Sequence, residues 1–423
     1  MIAEIIAAGS EMLTPHRQDT NSLYLTAALN KLGVSVAFKT IVGDNFEHLS
    51  SAAAIAIRRT DIIIFSGGLG PTEDDLTREA VAAALGLTLH RDPATLLALQ
   101  QKFIARRIAM PPNNQKQADI IHGAILLQNK TGSAPGQWLD TAIDGPQGQP
   151  HRKIIILLPG PPSELKPLFD GECRPRLSAI LPPRYIATRL LRMALIPEST
   201  VDARTAPIYK KFTDVETTIL AGSAEIQLHF FTSKPTQQAA QARVNEVAEL
   251  IEHEMGEDIF SNDGASLEEV VQLMLGLRDL TLSVAESCTG GLLAERLTAI
   301  PNISRNFIGG AVVYSDALKT KFAAVPEATL QQHGAISGEV ARALADGIRL
   351  TTNSSIGIGI TGLAGPAVPT VGPDAGKPVG LVYIGLSDGE DTQVKQLQLP
   401  GDRERIRFWA SQHALEMLRR HLQ

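Results

Sequence analysis

Short apolar runs and longer segments with helical spacing alternate along the first part of the chain. Four runs are rich in apolar and β-branched residues and predict strands: AEIIAAG, VSVAFKTIVGD, DIIIFSGG and KIIILLPG. Between the first two runs, Leu23, Ala27, Ala28 and Leu32 recur at the spacing of an α-helix, which Gly33 ends. Largely apolar strands separated by helices predict a parallel sheet covered on both faces.

The pattern changes twice further along the chain. RLLRMALI and AEIQLHFFTS predict strands, and QQAAQARVNEVAELIEHEMG predicts a helix, which together indicate a small α+β unit. After it, Ser266 and Glu269 form a capping box at the start of SLEEVVQLMLGLRD, and strands and helices alternate again. The sequence therefore predicts the α/β class, with two three-layer α/β domains at 1–172 and 261–423 and a small α+β domain at 173–260.

Composition narrows the class of protein. Of the 423 residues, 44% are hydrophobic and 20% charged, which is an ordinary globular balance. The net charge of -6 argues against a nucleic-acid partner, because neutralising phosphates needs a basic face. Cys173 and Cys288 are too few for a disulfide framework. No run reaches the roughly 18 apolar residues that a membrane span needs. We therefore expect a cytoplasmic protein with no membrane partner.

The loop after the third predicted strand carries candidates for binding a phosphate. In GGLGPTEDDLTREAV, glycines allow close backbone approach and the following helix offers free N–H groups to an anion. The acidic residues suit a divalent cation that a pyrophosphate also binds. These positions are Gly67, Gly68, Gly70, Pro71, Thr72, Asp74 and Asp75. A turn whose acidic residues complement the helix dipole explains them equally well.

A second glycine-rich loop, TLSVAESCTGGLLAERL, places Ser287 where a predicted strand gives way to a helix. A hydroxyl at such a junction is suited to attack a carbonyl, while N–H groups of Cys288 to Gly291 stabilise the oxyanion. Lys319, one turn after the next predicted strand, is a candidate base, which Tyr314 would orient.

The local sequence leaves other interpretations of this loop open. Ser287 or Thr289 is equally suited to be an N-cap, and Lys319 to be a solvated helix lysine. Cys288 is a rival nucleophile, because a thiol at a helix N-terminus has a lowered pKa. ITGLAGP forms a third strand-end loop, and Arg403 at the start of the last helix is a candidate phosphate ligand.

The chain closely resembles the CinA (competence/damage-inducible protein A) family in six motifs, which occur in the same order and at similar spacing. They are GGLGPTEDDLTREAV, PPNNQKQA, LLPGPPSELKPLF, AESCTGGLLAERL, HGAISGEVARALADG and PGDRERIR. The N-terminal third is similar to the molybdopterin-binding MoaB/MogA-like fold, and the last domain to PncC-type nicotinamide-nucleotide amidases.

The resemblance implies two hydrolytic activities in pyridine-nucleotide recycling. The C-terminal domain would convert nicotinamide mononucleotide to nicotinate mononucleotide and ammonia without a cofactor. The N-terminal domain would hydrolyse ADP-ribose at its pyrophosphate, using a divalent metal (cobalt or magnesium) and potassium. The resemblance also implies a homodimer.

The resemblance assigns roles to residues in both domains. The amidase nucleophile would be Ser287, its base Lys319 and an assisting residue Tyr314. The positions that bind the amidase substrate would be Glu286, Cys288, Thr289, Gly290, Gly291, Thr361, Gly362, Gly365 and Arg403. Those that bind the nucleotide in the N-terminal domain would be Gly9, Ser10, Asn21, Gly67, Gly68, Gly70, Pro71, Thr72, Gly160, Pro161 and Pro162. The metal ligands would be Asp44, Asp74 and Asp75.

Some positions depart from the family pattern. Asp316 stands where the family usually has asparagine, and it puts a carboxylate near the predicted base. The loop AVPTVGPDAGKP after ITGLAGP is longer than usual. Two alternatives remain: a non-catalytic protein that binds nucleotides or molybdopterin, or a protein with only one active domain.

Overall fold

The computed structural model describes residues 1–105, 107–144 and 149–423. The chain forms two compact units, one of Met1–Ala187 with Ser233–Ala240 and the other of Thr188–Thr232 with Gln241–Gln423. The division into three domains stays a prediction.

The described strands and helices have the following bounds. The strands are β1 (Ile2–Ala8), β2 (Ser35–Val42), β3 (Ile62–Ser66), β4 (Leu89–Arg91), β5 (Asp119–Ile121), β6 (Ile125–Leu127), β7 (Gly136–Asp144), β8 (Pro150–Leu158), β9 (Tyr185–Ala194), β10 (Glu216–Gly222), β11 (Glu225–Lys234), β12 (Ile259–Ser261), β13 (Leu282–Glu286), β14 (Phe307–Val312), β15 (Ile356–Gly362), β16 (Leu381–Ser387) and β17 (Thr392–Gln398). The helices are α1 (Thr20–Asn30), α2 (Phe46–Arg59), α3 (Thr77–Leu85), α4 (Pro93–Ala105), α5 (Pro162–Leu168), α6 (Arg174–Ile180), α7 (Glu198–Tyr209), α8 (Gln237–Met255), α9 (Leu267–Leu277), α10 (Leu292–Thr298), α11 (Asp316–Ala323), α12 (Glu327–His333), α13 (Gly338–Thr352) and α14 (Arg403–His421).

The first unit is built on a six-stranded sheet of order β2-β1-β3-β8-β7-β6. Alternate residues of its central strands enter opposite cores: Ile62 and Ile64 pack on one face, Ile63 and Phe65 on the other. Because successive side chains of a strand point to opposite faces, this division confirms the predicted α/β layering.

The second unit contains two sheets. A five-stranded sheet has the order β14-β13-β15-β16-β17, and a four-stranded sheet has the order β10-β11-β9-β12. The predicted capping box is confirmed at α9, where Ser266 and Glu269 each bond the other's backbone amide. Both faces of the five-stranded sheet are covered, for example by Leu344 of α13 on one face and Leu415 of α14 on the other.

The predicted parallel sheet is confirmed for β1, β2, β3 and β8, and β13, β14 and β15 are parallel as well. β6, β7, β16 and β17, which are not among the four runs for which a parallel sheet is predicted, run antiparallel to their neighbours. A parallel return needs a crossover, and the connection from β15 to β16 contains no helix. In the part of the chain that the structure describes, no helix is both long and apolar enough to cross a membrane.

Candidate active sites

The predicted amidase residues meet at one edge of the five-stranded sheet. Ser287 follows β13 and Tyr314 follows β14, while Thr361 lies near the end of β15. Arg403 opens α14 shortly after β17, whose carboxyl end reaches the same edge because Gln398 pairs with Leu381 at the start of β16. This edge is where ligands bind in open α/β sheets.

Ser287 sits in a tight turn between β13 and α10. Its amide donates to the carbonyl of Ile360 on the neighbouring strand at 2.9 Å, and its side chain is 8% exposed. Gly290 and Gly291 follow with φ of 61° and 94°, in the left-handed region that favours glycine. The turn that leads from Ser287 into α10 therefore favours glycine at both positions.

Glu286 anchors the helix that follows. The residue is 1% exposed, and its carboxylate accepts hydrogen bonds from the amides of Gly291 (3.1 Å), Leu293 (3.1 Å) and Ala294 (2.8 Å). The Gly291 amide donates to Glu286, and the Gly290 amide donates to the Ser287 carbonyl. Of the four amides predicted to stabilise the oxyanion, those of Cys288 and Thr289 therefore remain available. Within the described residues, those two amides donate to no carbonyl or carboxylate.

Glu286→Ala is expected to lower the free energy of unfolding by about 3 kcal/mol, because three charge-assisted bonds to amides at the helix start are lost. Urea denaturation measures the change. Glu295→Ala, which removes an exposed carboxylate from the same helix, serves as the control and should change the free energy by less than about 0.5 kcal/mol. Equal effects of the two substitutions would contradict the anchoring role.

Lys319 is buried. Its side chain is 2% exposed, and its Nζ lies 3.3 Å from Oδ1 of Asp316 one turn earlier in α11. Asp316 itself is 62% exposed, so the ion pair has one buried and one solvated partner. The alternative of a solvated helix lysine is therefore wrong. Burial of an ammonium is costly unless it is paired, and Asp316 supplies the opposite charge.

Cys288 does not have the lowered pKa that its place before a helix suggested. Burial raises the pKa of its thiol to about 12, and this outweighs the opposite effect of the backbone amides of Cys288 and Thr289. The thiol is thus protonated at neutral pH, and the rival prediction of a cysteine thiolate is wrong.

Arg403 connects the ends of three elements. Its Nη2 donates to the Tyr314 hydroxyl at 2.7 Å and its Nη1 to the carbonyl of Gly365 at 2.7 Å. Thr361 instead donates its hydroxyl to the carbonyl of Ala335 at 2.5 Å, which ties β15 to the turn before α13. Gly362 is packed against the backbone of β16, where a Cβ would meet the Leu381 carbonyl.

The long loop between β15 and β16 is hydrogen-bonded to the turn that precedes α13. Asp374 accepts hydrogen bonds from the amides of Ala335 (2.9 Å) and Ile336 (3.1 Å) and pairs with Lys377 at 2.7 Å. Lys377 also donates to the carbonyl of His333 at 3.0 Å. These contacts were not predictable from the sequence.

The first unit contains a cavity of about 380 Å³ at the carboxyl edge of its sheet. Most of the predicted nucleotide and metal positions line it: Gly9, Asp44, Gly67, Gly68, Gly70, Pro71, Thr72, Asp74, Asp75, Gly160 and Pro161. Ser10, Asn21 and Pro162 do not line it. Asn21 is buried behind the cavity and donates to the hydroxyl of Ser66 (3.0 Å) and the carbonyl of Gly160 (2.7 Å), and Pro162 begins α5.

Several residues of this site were not among the predicted positions. Glu11 and Glu164 add two carboxylates to the lining. Arg78, at the start of α3, is fully buried and donates to the carbonyls of Leu69 (2.9 Å) and Gly70 (3.2 Å). These bonds hold the glycine-rich loop in place. An arginine inside TREAV carries no sequence signal that distinguishes it from an exposed one.

The carboxylates of the cavity differ in their partners. Asp44 accepts from the Ser10 amide at 2.7 Å, and the Ser10 hydroxyl accepts from the Asp44 amide at 2.9 Å. Asp75 accepts from the Thr72 hydroxyl at 2.5 Å. The Thr72 hydroxyl also lies close to the Asp74 carboxylate. Together with the backbone amide of Asp74, it holds the pKa of Asp74 below its ordinary value.

The carboxylates that line this cavity are suitable ligands for a hard divalent cation that also coordinates a phosphate. Within the described residues, no group of three or more His, Cys, Asp and Glu side chains lies close enough to hold a metal ion by itself. Magnesium commonly takes only one or two carboxylates and completes its shell with water and phosphate oxygens. Asp44 and Asp74 would hold such an ion here, and the predicted metal stays a prediction.

Comparison with known proteins gives matches over both parts of the chain. A model described as "CinA C-terminal domain" matches residues 264–422, and one described as "Probable molybdopterin binding domain" matches residues 4–179. CinA-like proteins of Acidobacterium capsulatum and Koribacter versatilis are each 55% identical over 422 residues, and the match covers 100% of both chains. A solved CinA superfamily structure from Klebsiella pneumoniae is 31% identical and covers 37% of this chain and 95% of its own, with a TM-score of 0.35.

Proposed function

The chain belongs to the CinA family, and from the residues at its two sheet edges we propose that it is a hydrolase with two sites. The site of the second unit would release ammonia from nicotinamide mononucleotide. The site of the first unit would hydrolyse the pyrophosphate of ADP-ribose with a divalent cation.

The buried Lys319 carries the amidase proposal. β13 and β14 are parallel neighbours, with Glu286 opposite Val312, so the segments that follow both strands emerge at the same sheet edge. Ser287 is the first residue after β13, and Lys319 lies in α11, the helix that follows β14. A serine hydroxyl needs a base, and a lysine amine that emerges at the same sheet edge is a suitable group to take its proton.

The proposed reaction proceeds through an ester on Ser287. The Ser287 hydroxyl attacks the carboxamide carbon as Lys319, in its neutral amine form, takes the hydroxyl proton and becomes an ammonium, and the amides of Cys288 and Thr289 stabilise the oxyanion. Lys319 returns the proton to the nitrogen that leaves as ammonia. Water then attacks the ester on Ser287, Lys319 again takes and returns a proton, and nicotinate mononucleotide leaves.

Arg403 would bind the 5′-phosphate of the substrate. Its guanidinium is fixed by Tyr314 and Gly365, neither of which is charged, so its positive charge is not neutralised by either contact. A phosphate is the group that such a preorganised guanidinium binds well. This role also explains the place of Tyr314, which holds Arg403.

The amidase proposal is tested by the ammonia that purified protein releases from nicotinamide mononucleotide. Release that depends on Ser287 is expected. A non-catalytic nucleotide- or pterin-binding protein would instead bind the nucleotide and form no product over hours, and that outcome would replace the proposal.

The charge of the cavity in the first unit favours the hydrolysis of ADP-ribose with a divalent cation. Its lining has five carboxylates, from Glu11, Asp44, Asp74, Asp75 and Glu164. Such a surface repels a bare pyrophosphate, whereas a divalent cation bound to carboxylates attracts it. When bound, the cation would neutralise charge on the pyrophosphate oxygens. Gly67 also lines the cavity, and it has no room for a side chain because a Cβ there would collide with the Ala8 carbonyl.

Asp74→Asn is expected to lower AMP production from ADP-ribose by at least about 10²-fold at a fixed magnesium or cobalt concentration, because a charged ligand of the cation is lost. AMP is quantified by chromatography with and without added metal. Glu73→Gln, which changes an exposed neighbour that does not line the cavity, is the matched control. AMP formation that needs no added metal in metal-free protein would contradict the proposal.

A further inference from the structure

A cavity of about 1030 Å³ lies in the second unit, beside Arg403. One wall is the tip of the β10–β11 hairpin, with Gly222 and Ser223, and the other wall is the first two turns of α14, from Asp402 to Trp409. Its volume is at the upper end of the roughly 300–1,000 Å³ typical of small-molecule sites. Neither Ser287 nor Lys319 lines it.

Three arginines line this cavity: Arg403, Arg405 and Arg407. Among the described residues, the side-chain partners of these three arginines are uncharged. Arg403 donates to Tyr314 and Gly365, and Arg407 donates to the Thr289 carbonyl at 2.7 and 3.1 Å. Asp402 and Glu404 also line the cavity, so its arginines exceed its carboxylates by one.

Arg405 is the arginine of this cavity whose guanidinium N–H groups have no acceptor among the described residues. It lies over the ring of Trp409, with the guanidinium carbon 5.2 Å from the ring centroid. Its side chain donates no hydrogen bond to the part of the chain that the structure describes, and Asp402 accepts only from its backbone amide. A cation–π contact positions a guanidinium without occupying its N–H groups, which stay available to an anion.

We propose that this cavity is a second anion subsite next to the amidase site, in which Arg405 binds a phosphate beyond the one at Arg403. Nicotinamide nucleotides with a pyrophosphate, such as a dinucleotide, would then bind across Arg403 and into the cavity. The hairpin tip forms the opposite wall and offers the Ser223 hydroxyl. This inference rests on the proposed amidase function, because it assigns the first phosphate to Arg403.

The test is competition between two nucleotides. Ammonia release is measured from nicotinamide mononucleotide with a ¹⁵N-labelled carboxamide, in the presence of unlabelled nicotinamide adenine dinucleotide. Only labelled ammonia is counted, so turnover of the competitor does not interfere. The quantity compared is the ratio of the dinucleotide inhibition constant to the KM of the mononucleotide.

Arg405→Ala should raise this ratio at least tenfold, and Arg405→Lys should raise it less. Glu404→Gln, which removes a carboxylate from the same wall, should lower it. Arg405 is exposed, so these variants should retain the wild-type Tm. A dinucleotide that does not compete, or a ratio that Arg405→Ala leaves unchanged, would overturn the inference.

Calorimetric titration of the wild type and Arg405→Ala with the dinucleotide separates this inference from the proposed function. If the wild type releases no labelled ammonia, the amidase proposal fails. A tenfold weaker binding by Arg405→Ala would still support the subsite in that case. Equal binding by the two proteins would overturn it.

Discussion

Ser287→Ala is expected to reduce kcat/KM for ammonia release from nicotinamide mononucleotide by at least about 10³-fold. The substitution removes the proposed nucleophile, while the proposed oxyanion donors, the amides of Cys288 and Thr289, belong to the backbone and remain. The residual rate should therefore reflect binding and oxyanion stabilisation without a nucleophile. Steady-state ammonia release measures the change.

Ser315→Ala is the control for this substitution. Ser315 also lies at the carboxyl edge of the sheet, before α11, but it is exposed and its side chain does not cap the helix. Activity should stay within about twofold of the wild type, and both variants should keep the wild-type Tm. Comparable losses in the two variants would point to disturbance of the sheet edge instead of loss of a nucleophile.

Lys319→Met is expected to reduce kcat by about 10² to 10⁴-fold, the range that general acid–base groups contribute. The free energy of unfolding should not fall, because methionine fills a similar volume and removes the cost of burying an ammonium. Asp316 is left without its partner, but its carboxylate is largely exposed and remains hydrated. Activity is followed by ammonia release and stability by urea denaturation.

Lys321→Met separates the chemical role of Lys319 from the effect of a charge change on α11. Lys321 is exposed on the same helix and lies 5.5 Å from the ring centroid of Phe322. This variant should keep nearly full activity. If Lys319→Met keeps its activity but loses stability, Lys319 is a structural residue and the proton transfer is assigned wrongly.

Much of the fold follows from hydrophobic periodicity, although strand direction does not. IIIFS is apolar throughout because both faces of β3 are buried, and this made it recognisable as an interior strand. The same kind of run in β16, LVYIGLS, belongs to an antiparallel strand. Burial sets the run of apolar residues, whereas the connection that precedes a strand sets its direction. That connection is the loop from 363 to 380, which has no helical pattern.

The candidate sites were predictable where a strand end coincides with a motif. Ser287 and the Gly67–Gly70 turn are examples, because a strand followed by glycines and a helix is visible in the sequence. The burial of Lys319 and Arg78 was not predictable, since both stand in helices whose spacing does not mark them as interior. The contact that commits the Gly291 amide to Glu286 depends on the exact turn path and could not be anticipated either.

The most direct test of the Ser287–Lys319 mechanism is peptide mapping of protein quenched in acid during turnover of nicotinamide mononucleotide. An ester between the substrate acyl group and the peptide that carries Ser287 is expected. A thioester on Cys288, or ammonia released at the full rate by Ser287→Ala, would contradict the mechanism.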